Sequence, residues 1–218
     1  MVRSRSPIRY PHRSTKVKYL RLFLFGVIYF ALCGISVGES PKEITPALAI
    51  ADLTDPAKLA TLKGERAANP RLQKCVYWLA SAEEHGEKPK TVLDESAKMN
   101  KTAGSPYAGF VSWGLLENLK IAKELGLLNP KGMSEMRRGK SAMITKGQYA
   151  GQEAEADHVI PKAVCPELEN QVMNLELLPA KLNRAKSDKV TDRAKGFAKE
   201  LYDANLLSEE GWGAVRSK

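Results

Sequence analysis

Apolar residues recur at helical spacing through the first half of the chain. Their period predicts a helix over 69–86, which Asn69 caps and a glycine ends, and a weaker helix over 91–99. A longer helix is predicted to begin after Ser105, which can cap it, and to end near Gly126. The apolar stripes of the first and third helices are Leu72, Cys75, Val76 and Leu79, and Val111, Leu115, Leu119 and Ala122.

The pattern changes in the second half of the chain. From about Ser141 the helical period gives way to short segments punctuated by Gly147 and Gly151, which is typical of strands. A loop with proline and glutamate comes next, followed by the apolar stretch NLELLP and a charged helix over 180–204. The predicted order is therefore strand, loop, strand, helix.

These patterns predict an α+β protein in three parts. Residues 1–38 differ in composition from the rest, 39–140 form a linker and a mainly helical region, and 141–218 form a smaller domain with strands. Within the linker, 39–56 contains prolines and no sustained period, so we predict a loosely attached arm there. A chain of 218 residues can bury one sizeable core.

The N-terminal part has the order of a secretory signal peptide. Seven Lys and Arg precede an uncharged apolar run from Leu22 to Gly38, and no acidic residue occurs before Glu39. Ser36 and Gly38 are small enough for the −3 and −1 positions of a cleavage site. The run is also long enough for an uncleaved membrane anchor. Either interpretation places the rest of the chain outside the cytoplasm, as a secreted or periplasmic protein or as an anchored domain.

The high net charge of the chain is weak evidence for a nucleic-acid partner. The chain has 34 Lys and Arg against 25 Asp and Glu, a formal net charge of +9. Without the seven N-terminal cations, 27 remain against the same 25 acids, and the net charge falls to +2. Global charge therefore does not select nucleic acid as a partner, and only the local placement of cations can.

Two cysteines remain if a signal peptide is removed. Cys75 and Cys165 would meet an oxidising compartment as a pair, so a disulfide between them is one prediction. The alternative is a buried thiol on a helix and a second thiol in a loop. Neither belongs to a C-x-x-C pair, so the ligands of a structural zinc knuckle are missing.

Candidate chemistry concentrates around the one Asp-His pair of the chain. Hydrolysis of a phosphodiester needs a base for the attacking water and a cation on the phosphate. His158 can be that base, while Asp157 and Asn183 offer the hard oxygens that suit Mg²⁺. Neighbours on a regular strand point to opposite faces, so 157 and 158 serve one site only if the strand ends there, as Pro161 favours. Asn174, at the start of the second strand, is predicted to tie down the intervening loop and orient His158.

The segments DHVIP, NLELLP and NRAKSD, in this order, resemble the HNH endonuclease motif, the ββα-metal finger of homing, restriction, colicin-type and CRISPR-effector nucleases. The resemblance covers roughly 145–195. It implies His158 as general base, Asp157 and Asn183 as metal ligands, and Asn174 as the central structural asparagine. It also implies Mg²⁺, or another divalent cation such as Mn²⁺, as cofactor. Many relatives hold this finger with zinc-binding cysteine pairs, which this chain lacks, so packing alone is expected to hold it here.

The resemblance favours a metal-dependent endonuclease that acts on nucleic acid, with double-stranded DNA as the expected substrate and no small-molecule cofactor, and the N-terminal segment favours its export. An immunity or inhibitor protein as a further partner is left open. The alternative is a non-catalytic nucleic-acid-binding module that retains the HNH fold. The cations of the final helix outnumber its acidic residues, so we expect them to position the phosphates of the substrate. The cations closest to the proposed ligand are Arg184, Lys186 and Lys189.

Overall fold

The computed structural model describes residues 44–62 and 68–218. The predicted signal peptide or anchor, 1–38, lies outside these ranges. Within the described ranges, no helix has the length and apolarity needed to cross a membrane.

The predicted arm over 39–56 is wrong in its described part, because this segment folds into a helix that joins the core. Thr45 accepts a hydrogen bond from the Leu48 amide and caps α1 (Pro46–Thr54). Ile50 and Ala51 of this helix are buried, and α1 packs against α3 (Ala68–Glu84) and α4 (Pro89–Met99). Two of the prolines that indicated a linker, Pro46 and Pro56, occupy the first positions of two short helices, where a missing N–H costs nothing. The second of these is α2 (Pro56–Thr61).

The remaining helices of the first half follow the predicted order. The apolar stripes on α3 and α5 are buried as predicted, with every member of both stripes in the core. Asn69 is wrong as a cap, because it lies inside α3, whereas Ser105 does cap α5 by accepting from the Ala108 amide. A further helix that the sequence did not predict follows α5. The four helices are α3 (Ala68–Glu84), α4 (Pro89–Met99), α5 (Pro106–Glu124) and α6 (Pro130–Arg137).

Three short strands form an antiparallel sheet in the order β1-β2-β3. β1 pairs with β2 at two positions, whereas all of β3 pairs with β2 from Ala154 to His158, with Asp157 opposite Glu176 and His158 opposite Leu175. β2 ends at His158, so the predicted early end of the strand is confirmed. The strands are β1 (Ala142–Met143), β2 (Glu153–His158) and β3 (Leu175–Pro179).

The single charged helix predicted over 180–204 is wrong. The chain instead forms two helices that are separated at Ser187, whose φ of +48° is left-handed and ends the first of them. Thr191 then caps the second by accepting from the Ala194 amide. The C-terminal helices are α7 (Ala180–Lys186), α8 (Asp192–Asp203) and α9 (Glu209–Arg216).

Helix side chains complete the hydrogen bonding of the sheet. Beyond the short β1, the Ala156 amide of β2 donates to Asn69 Oδ1 (2.9 Å), and Gln73 Nε2 donates to the Ala154 carbonyl (2.7 Å). On the outer side of β3, Asn118 accepts from the Leu177 amide (2.7 Å) and donates to the Leu175 carbonyl (2.8 Å). Unpaired backbone groups are costly when buried, so these three side chains fasten the strands to α3 and α5.

The helical region and the sheet share one hydrophobic core, and residues 44–218 form one compact unit. α3 packs against β2, and α5 packs against β3 and the turn before it. The contact is close at Gly114, where an added Cβ would lie 3.3 Å from the Met173 Cα. The strand-loop-strand-helix segment thus packs against the helices of the first half of the chain.

Candidate active site

His158 lies at the end of β2 with one ring nitrogen held by the backbone. Its Nε2 lies 2.9 Å from the Glu169 carbonyl oxygen. A carbonyl only accepts, so Nε2 must carry the proton, and in the neutral ring Nδ1 keeps its lone pair. Within 44–62 and 68–218, Nδ1 makes no hydrogen bond, and the side chain is half-buried. The contact therefore leaves Nδ1 as the ring nitrogen that can accept a proton.

Asn174 is fully buried and joins the two ends of the loop between β2 and β3. Its Oδ1 accepts from the Ile160 amide (2.9 Å), while Nδ2 donates to the carbonyls of Ile160 (3.0 Å) and Leu168 (3.3 Å). Its own carbonyl accepts from the Val159 amide. The predicted tie across the loop is confirmed, and it fixes the chain on both sides of the carbonyl that holds His158.

The helical region reaches the same loop through Arg71 of α3. Arg71 is only 5% exposed and donates from Nη1 to the Asn170 carbonyl, which follows the Glu169 carbonyl that accepts from His158. Burial lowers the pKa of this guanidinium. Arg71 is thus a positioning residue for the loop, and it lies outside the segment that the motif covers.

Asp157 and Asn183 occupy the side of the sheet that α7 covers, but they have different partners. Asn183 Nδ2 donates to Glu155 Oε2 (2.9 Å), which leaves the Asn183 Oδ1 available as a ligand. The Asp157 Oδ2 accepts from Lys186 Nζ (2.7 Å). Glu155 and Asp157 share one face of β2 by strand alternation, and the two proposed ligands lie on neighbouring elements that are in contact.

These residues fit a hard divalent cation by their donor chemistry. Glu155, Asp157 and Asn183 supply carboxylate and amide oxygens, and the Lys186 ammonium already holds a positive charge against Asp157. No group of three His, Cys, Asp or Glu suited to a metal occurs among the described residues. Mg²⁺ does not require such a group, because it keeps several waters and binds through one or two carboxylates.

A charged network surrounds Asp157. Glu176, opposite it on β3, has a side chain that is 7% exposed and accepts from Lys186 (3.2 Å) and from Arg193 of α8 (2.5 Å). Lys186 also donates to the His158 carbonyl. Two cations and two carboxylates therefore link α7 and α8 to both strands at the site.

The three cations predicted to hold phosphate have different surroundings. Arg184 and Lys189 are exposed, whereas the Lys186 side chain is 13% exposed and occupied by the network. An open depression of about 560 Å³ is bordered by Glu155, Lys181 and Arg184. Arg184 and the Glu155 carboxylate that holds Asn183 thus border the same depression.

The structure contains Cys75 and Cys165 as free, buried thiols and not as the predicted disulfide. Cys75 lies within α3, and Cys165 precedes a 3-10 turn in the loop after β2. Burial raises the pKa of Cys75 to about 12 and that of Cys165 to about 11. Burial thus disfavours the thiolate of both cysteines, which is the form that reacts.

Sequence reasoning missed several residues that shape the site. Lys186 follows Asn183 by three positions, which places both on one face of α7. Glu176 is the one charged residue in an apolar strand. Both signals are readable once the elements are known. Arg71 carries no such signal, because nothing local links α3 to the loop. Comparison of the chain with protein-family models, curated proteins and solved structures gives no match.

Proposed function

We propose that this protein is a metal-dependent endonuclease of the HNH type that hydrolyses phosphodiester bonds in DNA. The observation that carries the proposal is the hydrogen bond that holds His158 at the end of β2, one position after Asp157 in the strand that α7 and its Asn183 pack against. A general base needs a ring nitrogen with a free lone pair, and this contact leaves Nδ1 of His158 for that purpose.

In the proposed reaction, the chain positions a base, a carboxylate and an amide around one phosphate. His158 Nδ1 takes a proton from the attacking water, and the Glu169 carbonyl stabilises the ring that results. Asp157 and Asn183 would hold a Mg²⁺ or Mn²⁺ ion, which supplies charge stabilisation at the phosphate when bound. Asn174 and Arg71 keep the loop, and therefore the imidazole, in place.

Plasmid digestion tests the proposal. The protein should nick supercoiled plasmid in the presence of Mg²⁺, and EDTA should abolish the nicking. The variants Asp157→Ala and Asn183→Ala should each raise the Mg²⁺ concentration that gives the half-maximal rate by about tenfold or more, because each removes a metal ligand. Asp188→Ala is the matched control, because it removes an exposed carboxylate just after α7. A protein that retards the plasmid without nicking it is the binding module, and the endonuclease proposal is then wrong.

DNA affinity is expected to depend on the exposed cations beside the site. Replacing Arg184 and Lys189 together with alanine should weaken binding to all sequences alike. The slope of log affinity against log salt should flatten by roughly 0.9 for each phosphate that the variant no longer neutralises. Fluorescence anisotropy on a short duplex, in Ca²⁺ to suppress turnover, measures the slope at several salt concentrations.

The control for that experiment removes the same charge elsewhere. Lys98 and Lys101 are exposed near the end of α4, and their double alanine variant should keep the parent slope. Equal slopes for the parent and the Arg184/Lys189 variant would mean that the DNA binds to another surface.

A further inference from the structure

The ammonium of Lys186 is saturated by the protein. It contacts Asp157 Oδ2 (2.7 Å), the His158 carbonyl and Glu176 Oε1 (3.2 Å). An ammonium has three donors and no acceptor, so each N–H has a partner within the site. In this arrangement Lys186 has no donor left for a phosphate.

The environment explains why a cation is held here. The Asp157 and Glu176 side chains are 17% and 7% exposed and lie opposite each other on paired strands. Like charges brought together in a poorly solvated place repel and require a counter-ion. Arg193 meets only the far oxygen of Glu176, so in the described structure Lys186 is the cation that contacts Asp157.

We propose that Lys186 is a resident cation that a divalent ion must displace from Asp157, so that metal binding at this site is an exchange of cations. The inference rests on the proposed function for the identity of Asp157 as a ligand. A carboxylate oxygen in contact with an ammonium cannot also bind a divalent ion at about 2.1 Å without placing two positive charges side by side. Lys186 therefore lowers the metal affinity of the site.

The displaced amine stays beside the site. Glu176 and the His158 carbonyl still hold it after it leaves Asp157, and one N–H donor is then released. The site thus gains a free cationic donor only in its metal-bound state, which couples metal occupancy to recognition of an anionic substrate.

Mn²⁺ titration without DNA tests the exchange. Lys186→Met removes the charge and retains most of the apolar stem, so the Kd for Mn²⁺ by calorimetry should fall about tenfold or more, whereas Lys186→Arg should stay near the parent. Lys189→Met is the matched control: it removes one exposed cation from the same turn and should change the Kd less than threefold, because solvent screens it. An unchanged or weaker affinity in Lys186→Met overturns the inference.

A second measurement uses the parent protein and needs no variant to fold. Acylation of lysine amines, followed by mass spectrometry, should label Lys186 slowly in metal-free protein and at least severalfold faster at saturating Mn²⁺, with exposed Lys189 unchanged. Equal labelling of Lys186 in both states overturns the inference. Neither experiment requires cleavage of DNA. If the parent protein exchanges Lys186 for Mn²⁺ but never nicks plasmid, the proposed function alone is wrong. If the parent protein nicks plasmid without this exchange, the present inference alone is wrong.

Discussion

Replacing His158 with alanine should reduce the single-turnover rate of plasmid nicking by about 10²- to 10⁴-fold, the usual contribution of a positioned general base. The loss should persist at saturating Mg²⁺, because His158 is not one of the proposed ligands. The Mn²⁺ affinity and the melting temperature should stay close to those of the parent, since the side chain is half-buried and makes one hydrogen bond.

His85 supplies the matched control for this variant. It is the other histidine within the described ranges, it is exposed, and its Nδ1 also contacts a backbone carbonyl, that of Ser81 (2.7 Å). His85→Ala should nick at the parent rate. Added imidazole should partly restore nicking by His158→Gly, because a free base can enter the space that the side chain leaves. Nicking by His158→Ala within threefold of the parent would contradict the assignment.

Replacing Asn174 with alanine should lower the free energy of unfolding by about 3 kcal/mol or more. The change leaves one buried N–H and two buried carbonyls without their partner, and each unsatisfied group costs about 1–3 kcal/mol. Since small domains are stable by about 5–15 kcal/mol, this decrease is a large share of the total. Urea denaturation followed by circular dichroism measures it.

Two further variants separate hydrogen bonding from packing at this position. Asn174→Asp keeps the side-chain volume but replaces the Nδ2 donor, which faces two carbonyls, with an acceptor oxygen. This variant should therefore lower the free energy of unfolding at least as much as Asn174→Ala does. Asn170→Ala removes a single exposed hydrogen bond to the Leu62 carbonyl and should cost less than about 1 kcal/mol. An Asn174→Asp variant as stable as the parent would show that the amide does not tie the loop.

Local patterns predicted the elements of this fold where one face is buried. Leu72, Leu79 and Leu115 repeat at helical spacing because each contacts the same core, and the spacing is visible in the sequence. α1 was missed because it is nine residues long and begins with a proline that also suits a linker. The break at Ser187 was missed because a left-handed serine has no reliable sequence signal.

In the candidate site too, features set by local sequence were predicted, whereas features set by long-range contacts were not. The early end of β2 follows from Pro161, and the tie of the loop by Asn174, which the sequence also predicts, is present. The role of Arg71 depends on a contact between residues 99 positions apart. The saturation of Lys186 depends on the register that sets Asp157 opposite Glu176. Neither long-range fact is contained in local spacing.

The amide of Asn118 has a consequence for self-association. A strand at the edge of a sheet exposes backbone groups that can pair with a strand of another molecule, which is a common route to aggregation. On β3, Asn118 occupies the Leu177 amide and the Leu175 carbonyl as an added strand would. The side chain is buried on α5, so a competing strand would have to displace the helix as well as the amide. A single asparagine thereby occupies the backbone groups at Leu175 and Leu177 that a strand of another molecule would need for intermolecular β-pairing.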